Sequence, residues 1–89
     1  MNAEISKELS DKLKEALDTN PKMRIPLIIT LEPDYGSDFS SLEDEGLHVD
    51  NPLYSINAVA GTVPANQIAN LARQPKIKKV EYDGEVRAL

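Results

Sequence analysis

Between Asn51 and Pro75 the chain carries one charged residue, Arg73, although it holds 10 Lys and Arg and 15 Asp and Glu in all. A stretch so poor in charge belongs in a core or against a partner rather than in water. Within it, Leu53 to Val63 reads as one long strand. Asn57, Val59, Gly61 and Val63 then point one way, and Ile56, Ala58, Ala60 and Thr62 the other. Both sets are nearly uncharged, and the second is mostly small. A strand facing water on one side normally alternates apolar with polar residues. Something therefore covers the small-residue face: either a helix of the same chain, such as residues 5–17, or a second protein.

The rest of the chain supplies the frame for that strand. Ile5, Leu9, Leu13, Ala16 and Leu17 recur at helical spacing with charges opposite, and Thr19-Asn20-Pro21 ends the helix. Leu27 to Leu31 is apolar on both faces between Pro26 and Pro33, which reads as an interior strand. Phe39 and Leu42 suit a short helix from Ser37 or Asp38 to Glu45, stopped by Gly46. Leu47-His48-Val49 reads as a short strand, and Asp50-Asn51-Pro52 as the turn of a hairpin. Pro64 opens a helix with Ile68, Leu71 and Ala72 inward, and Lys76 to Tyr82 forms a last strand with Ile77, Val80 and Tyr82 inward. From Leu27 the order is strand, helix, strand, strand, helix, strand. That order predicts an α+β, ferredoxin-like plan: a four-stranded antiparallel sheet with two helices on one face, plus an extra N-terminal amphipathic helix. Residues 1–24 form the helical extension and residues 25–89 the domain, which ends in a tail over residues 84–89.

Composition narrows the chemistry. With 89 residues, one His and no Cys, the chain makes one small domain with no disulfide and no Cys-based zinc site. A Ser-His-Asp or Cys-His constellation is not expected, so an enzyme is not expected, and neither is a cofactor. Residues 32–50 carry Glu32, Asp34, Asp38, Glu43, Asp44, Glu45 and Asp50 with no Lys or Arg. Their spacing does not fit a calcium loop and reads as a solvated surface, so no metal site is expected. A net charge of −5 argues against a nucleic-acid partner. The apolar run Leu27-Ile28-Ile29 is too short for a membrane span. Met1 to Leu17 lacks the apolar centre of a signal peptide, so a cytoplasmic location is expected if Met1 is the native start.

The run Tyr54-Ser55-Ile56-Asn57-Ala58-Val59-Ala60-Gly61-Thr62-Val63 is followed by a helix ending Leu71-Ala72-Arg73-Gln74-Pro75, and then by Ile77-Lys78-Lys79-Val80-Glu81-Tyr82-Asp83. In this order the chain resembles the subtilisin-propeptide family of peptidase inhibitors, over about Leu27 to Leu89. The resemblance implies a ferredoxin-like unit whose open sheet face lies across two surface helices of a subtilisin-like serine protease. It implies inhibition of that protease, with assistance to its folding as a further role. Ile56, Ala58, Ala60 and Thr62 are the docking face, and Glu81 and Asp83 cap the N-termini of the two protease helices. Val86, Arg87, Ala88 and Leu89 enter the substrate cleft like a cleaved product, with Leu89 in the first pocket.

The residues agree with that implication on separate grounds. Glu81 and Asp83 share one face of a strand about 7 Å apart, and carboxylates suit the unsatisfied N–H groups of helix ends. A Val-x-x-Leu end has no helical pattern, and an extended segment adds its backbone hydrogen bonds to a cleft edge. Val63-Pro64 departs from the family, which carries an Asp or Ser cap before the second helix. The rival expectation is a ferredoxin-like interaction domain that forms a homodimer through its N-terminal helix or its open sheet face.

Overall fold

The computed structural model of the protein describes residues 3–84. Its centre is a strand in which apolar side chains alternate in depth. In β2 (Arg24–Leu31), Ile25, Leu27, Ile29 and Leu31 are buried, whereas Pro26, Ile28 and Thr30 are half-buried and Arg24 is exposed. β4 (Ala58–Pro64) pairs with it antiparallel, and Val59, Gly61 and Val63 join the same buried layer. β3 (His48–Leu53) lies outside β4, and β5 (Ile77–Tyr82) lies on the other side of β2, both antiparallel to their neighbours. β1 (Glu4–Ile5) adds to the far edge of β5 in parallel, so the order across the sheet is β1-β5-β2-β4-β3.

The architecture is α+β, but the sheet is five-stranded and mixed rather than four-stranded and antiparallel. The fifth strand comes from a residue placed in the first helix by its spacing. Ile5 continues the helical stripe of Leu9 and Leu13, yet the helix α1 (Lys7–Thr19) starts only after Ser6, whose hydroxyl accepts from the amide of Leu9 at 3.3 Å. Ile5 pairs with Val80 instead. Leu17 also departs from the expected buried stripe and is 44% exposed, while Leu9 and Ala16 are buried.

Three helices feed one core. Leu9 and Ala16 of α1, Leu42 of α2 (Ser40–Asp44), and Ile68, Leu71 and Ala72 of α3 (Ile68–Ala72) form one cluster with the inward residues of β2, β4 and β5. α1 therefore lies on the same side of the sheet as α2 and α3, and among the described residues no helix lies over the strand residues facing the other way. Among the described residues no helix is long and apolar enough to cross a membrane.

Three further differences have local causes. The expected turn at Asp50-Asn51-Pro52 is part of β3: the pairing slips between Val49 and Asn51, and Pro52 is tolerated because β3 is an edge strand. The chain reverses later, through a 3-10 turn over Tyr54–Ile56 and Asn57 at φ 53°. Asn enters this left-handed region more readily than most residues. Ile77 and Val80 are both buried although they stand three positions apart, which a regular strand forbids; a register shift opposite Thr30 and Leu31 restores the parity. Pro26 fits inside a central strand for a different reason. Its carbonyl accepts from the amide of Asp83 at 2.9 Å, so its missing N–H faces the point where β5 has ended.

Candidate functional site: the uncovered face of the sheet

Strand register assembles the uncovered face in rows. In the first, Asp83 stands beside Pro26, which pairs with Thr62, which pairs with His48. The second runs Glu81, Ile28, Ala60, Asn51. A third runs Lys79, Thr30, Ala58, Leu53, and Glu4 extends it beyond Lys79. The two central columns, from β2 and β4, are Pro26, Ile28 and Thr30 beside Ala58, Ala60 and Thr62, and contain no charge. Charge enters at the borders. Lys79, Glu81 and Asp83 line the β5 side, and Arg24 closes one end.

Each border group has a physical anchor. The Arg24 guanidinium donates to the Thr62 hydroxyl at 3.0 Å, to the Thr62 carbonyl at 2.8 Å and to the Gly46 carbonyl at 2.7 Å. It thereby clamps the ends of β2, β4 and the segment entering β3. The Lys79 ammonium lies 3.6 Å from the Glu81 carboxylate, and both side chains are near 40% exposed. An ion pair so accessible is weak, so Glu81 remains able to exchange Lys79 for another donor. On β3, His48 and Asp50 form a second exposed contact at 3.6 Å.

The centre is flat because its side chains are small. Ile28, Ala60 and Thr62 are half-buried with no helix above them among the described residues, and Ala58 is buried. Desolvating Ala and Pro against a partner carries almost no side-chain entropy penalty. Flatness also depends on the opposite layer. A side chain at Gly61 would run into the carbonyl oxygen of His48, so glycine lets β3 and β4 lie close at this register.

Of the residues assigned to the docking face, Ala58, Ala60 and Thr62 alternate along β4 away from the core. Ile56 does not belong to it: it lies in the 3-10 turn of the β3–β4 hairpin, where it is 60% exposed. The left-handed Asn57 separates Ile56 from the strand, so alternation cannot be carried back through it. Glu81 and Asp83 flank the same border, as their spacing requires. Val86, Arg87, Ala88 and Leu89 lie outside the described residues; of the tail over residues 84–89 only Gly84 is described.

Sequence reasoning missed the contribution of β2. Pro26, Ile28 and Thr30 supply half of the uncharged centre, and the signal was present in Pro26 and Thr30, which a strand buried on both faces would not favour. It also missed an aromatic stack at the hairpin end. Three of the four aromatic rings gather there: Tyr35 and Phe39 have centroids 6.2 Å apart, and Phe39 and Tyr54 6.4 Å. Among the described residues, no three or more His, Asp or Glu side chains converge as metal ligands. No known protein-family model matches the chain, and no curated protein matches it.

Proposed function

We propose that this protein is a propeptide-like inhibitor of a subtilisin-like serine protease, and that β2 to β5 with α2 and α3 form a ferredoxin-like unit to which β1 and α1 are added. One observation carries the reading. Among the described residues no helix covers the small-residue face, because α1 packs on the opposite side of the sheet, and Glu81 and Asp83 lie along the border of that face. Ala58, Ala60, Thr62 and Ile28 are the platform laid on the enzyme. The carboxylates of Glu81 and Asp83 receive the free N–H groups and partial positive charge of two enzyme helix ends. β5 hands the chain on towards Val86, Arg87, Ala88 and Leu89, which occupy the cleft in extended form, Leu89 in the first pocket. Each apolar side chain so buried contributes about 1.5–3 kcal/mol before ordering penalties.

The test is titration of the full chain against a panel of subtilisin-like proteases, beside a variant lacking Arg87, Ala88 and Leu89. A protease that accepts a large apolar residue in its first pocket is inhibited by the full chain. The shortened chain, still folded by circular dichroism, is weaker by at least about a hundredfold, as expected when a pocket-filling anchor is removed. Equal inhibition by both chains, or none by either, contradicts the proposal. In the homodimer reading the uncovered face pairs with a second copy, and sedimentation then finds a tight dimer that ignores every protease.

A further inference from the structure

The purpose of the first nineteen residues is not explained by an inhibitory platform that lies on the other side of the sheet. Residues 3–19 make most of their contacts with β5, and α1 also meets the turn over Ala65–Gln67. The amide of Ser6 donates to the carbonyl of Val80 at 3.1 Å, and Glu4 and Ile5 pair with Lys79 and Val80 in parallel. The amide of Ala3 donates to the carbonyl of Ala72 at 2.9 Å, which ties the same segment to the end of α3 just before β5 begins. α1 then turns back over the sheet. Leu9 is wholly buried, and the Lys12 ammonium stands 5.5 Å from the centroid of the Tyr82 ring. Glu8 lines a groove with Ile28, Tyr82, Asp83 and Gly84, where the chain leaves β5.

We infer that β1 and α1 form an intramolecular clamp that holds β5 in its binding conformation before any protease is met. Without β1, β5 would be the edge strand, with its outward N–H and C=O groups unpaired. The clamp fills that edge with the chain's own backbone and packs Leu9 beneath it. Glu81, Asp83 and the root of the tail are thus ordered in the free chain, and that ordering is not charged against binding. This rests on the proposed inhibitory role only for its effect on association; the ordering of β5 is a property of the free chain.

The backbone offers a clean way to release the clamp. Ser6 has φ −64°, the value proline adopts, and the residue before it is already extended as a pre-proline residue must be. Ser6→Pro therefore removes the N–H that reaches Val80 without forcing a new backbone shape, but also removes the hydroxyl that caps α1. Ser6→Ala removes the hydroxyl alone and is the reference. Amide hydrogen exchange of Ile77 to Tyr82 in the free chain is the primary measurement. Ser6→Pro should exchange about five- to tenfold faster there than Ser6→Ala, the size expected for one lost hydrogen bond. A Ser6→Pro chain that cannot fold while Ser6→Ala folds also supports the clamp. Equal protection of β5 in the two variants overturns it. With a protease that the unaltered chain inhibits, Ser6→Pro should slow association and leave dissociation nearly unchanged. A chain that inhibits no protease would defeat the inhibitory reading, while the exchange comparison would still decide for or against the clamp.

Discussion

The two faces of one sheet are made by the same strands and follow opposite rules. Towards the helices, β2 and β4 present Ile25, Leu27, Ile29, Leu31, Val59 and Val63, large and branched, each at most 4% exposed. Away from the helices the same strands present Pro26, Ile28, Thr30, Ala58, Ala60 and Thr62, where only Ile28 is large. The first face is a packed interior in which lost volume leaves a cavity. The second is uncharged at its centre and, among the described residues, has no helix laid across it, which suits a surface that a partner must desolvate. One sheet thus separates the residues that make the protein stable from those proposed to make it bind.

That separation is open to attack by substitution, and the largest effect belongs to the packed face. Leu27→Ala should lower unfolding free energy by about 2–5 kcal/mol, measured by urea denaturation, and reduce inhibition only through loss of folded protein. Ala60→Arg, in the middle of the open face, should do the reverse. Its stability should stay within about 0.5 kcal/mol of the parent, while inhibition falls about a hundredfold, near 2.7 kcal/mol. Gly61→Ala probes the boundary between the faces. Its added methyl meets the His48 carbonyl and must push the edge strand away, so a loss of about 1–3 kcal/mol is expected in the same denaturation experiment. Glu81→Gln should leave the thermal midpoint almost unchanged, because its pairing with Lys79 is solvent-accessible, yet weaken protease binding about three- to tenfold.

The smallest effect lies away from both faces. Asp38 accepts from the amide of Ser40 at 3.0 Å at the start of α2, and hydrogen bonds from the Ser40 backbone and hydroxyl hold its carboxyl below the ordinary aspartate value. A depressed carboxyl stabilises the fold fully above its unfolded value and loses that contribution as pH falls through the folded one. Asp38→Asn should therefore lower stability slightly at neutral pH and flatten the acid limb, the two chains converging below the folded value. A steeper acid limb in the variant would reverse the assignment.

The sequence made the core legible, and local exceptions hid much of the site. Leu9 and Ala16 are readable because helical spacing survives over several turns of α1, and Ile68, Leu71 and Ala72 because the same spacing holds within the short α3. The open face depends on register, which a single chain does not display. Alternation placed Ala58, Ala60 and Thr62 together but ran on through Asn57 to Ile56, because nothing in the spacing marks a left-handed residue. β1 was invisible for another reason: two residues give no period, and Ile5 satisfied the helix next to it. The inward pair Ile77 and Val80 was read correctly from hydrophobicity alone, but their odd spacing makes sense only with the register shift opposite β2. Pro52 suggested a turn, and only its position at the sheet edge explains why the strand continues through it.

The central claim is that the helix-free face grips a serine protease, and inhibition by Ala60→Arg beside the unaltered chain tests it most directly. The account predicts stoichiometric inhibition of at least one subtilisin-like protease by the unaltered chain. It predicts that the folded variant, with an unchanged melting curve, loses about two orders of magnitude of that inhibition. A variant that inhibits as well as its parent would show that this face is not the grip.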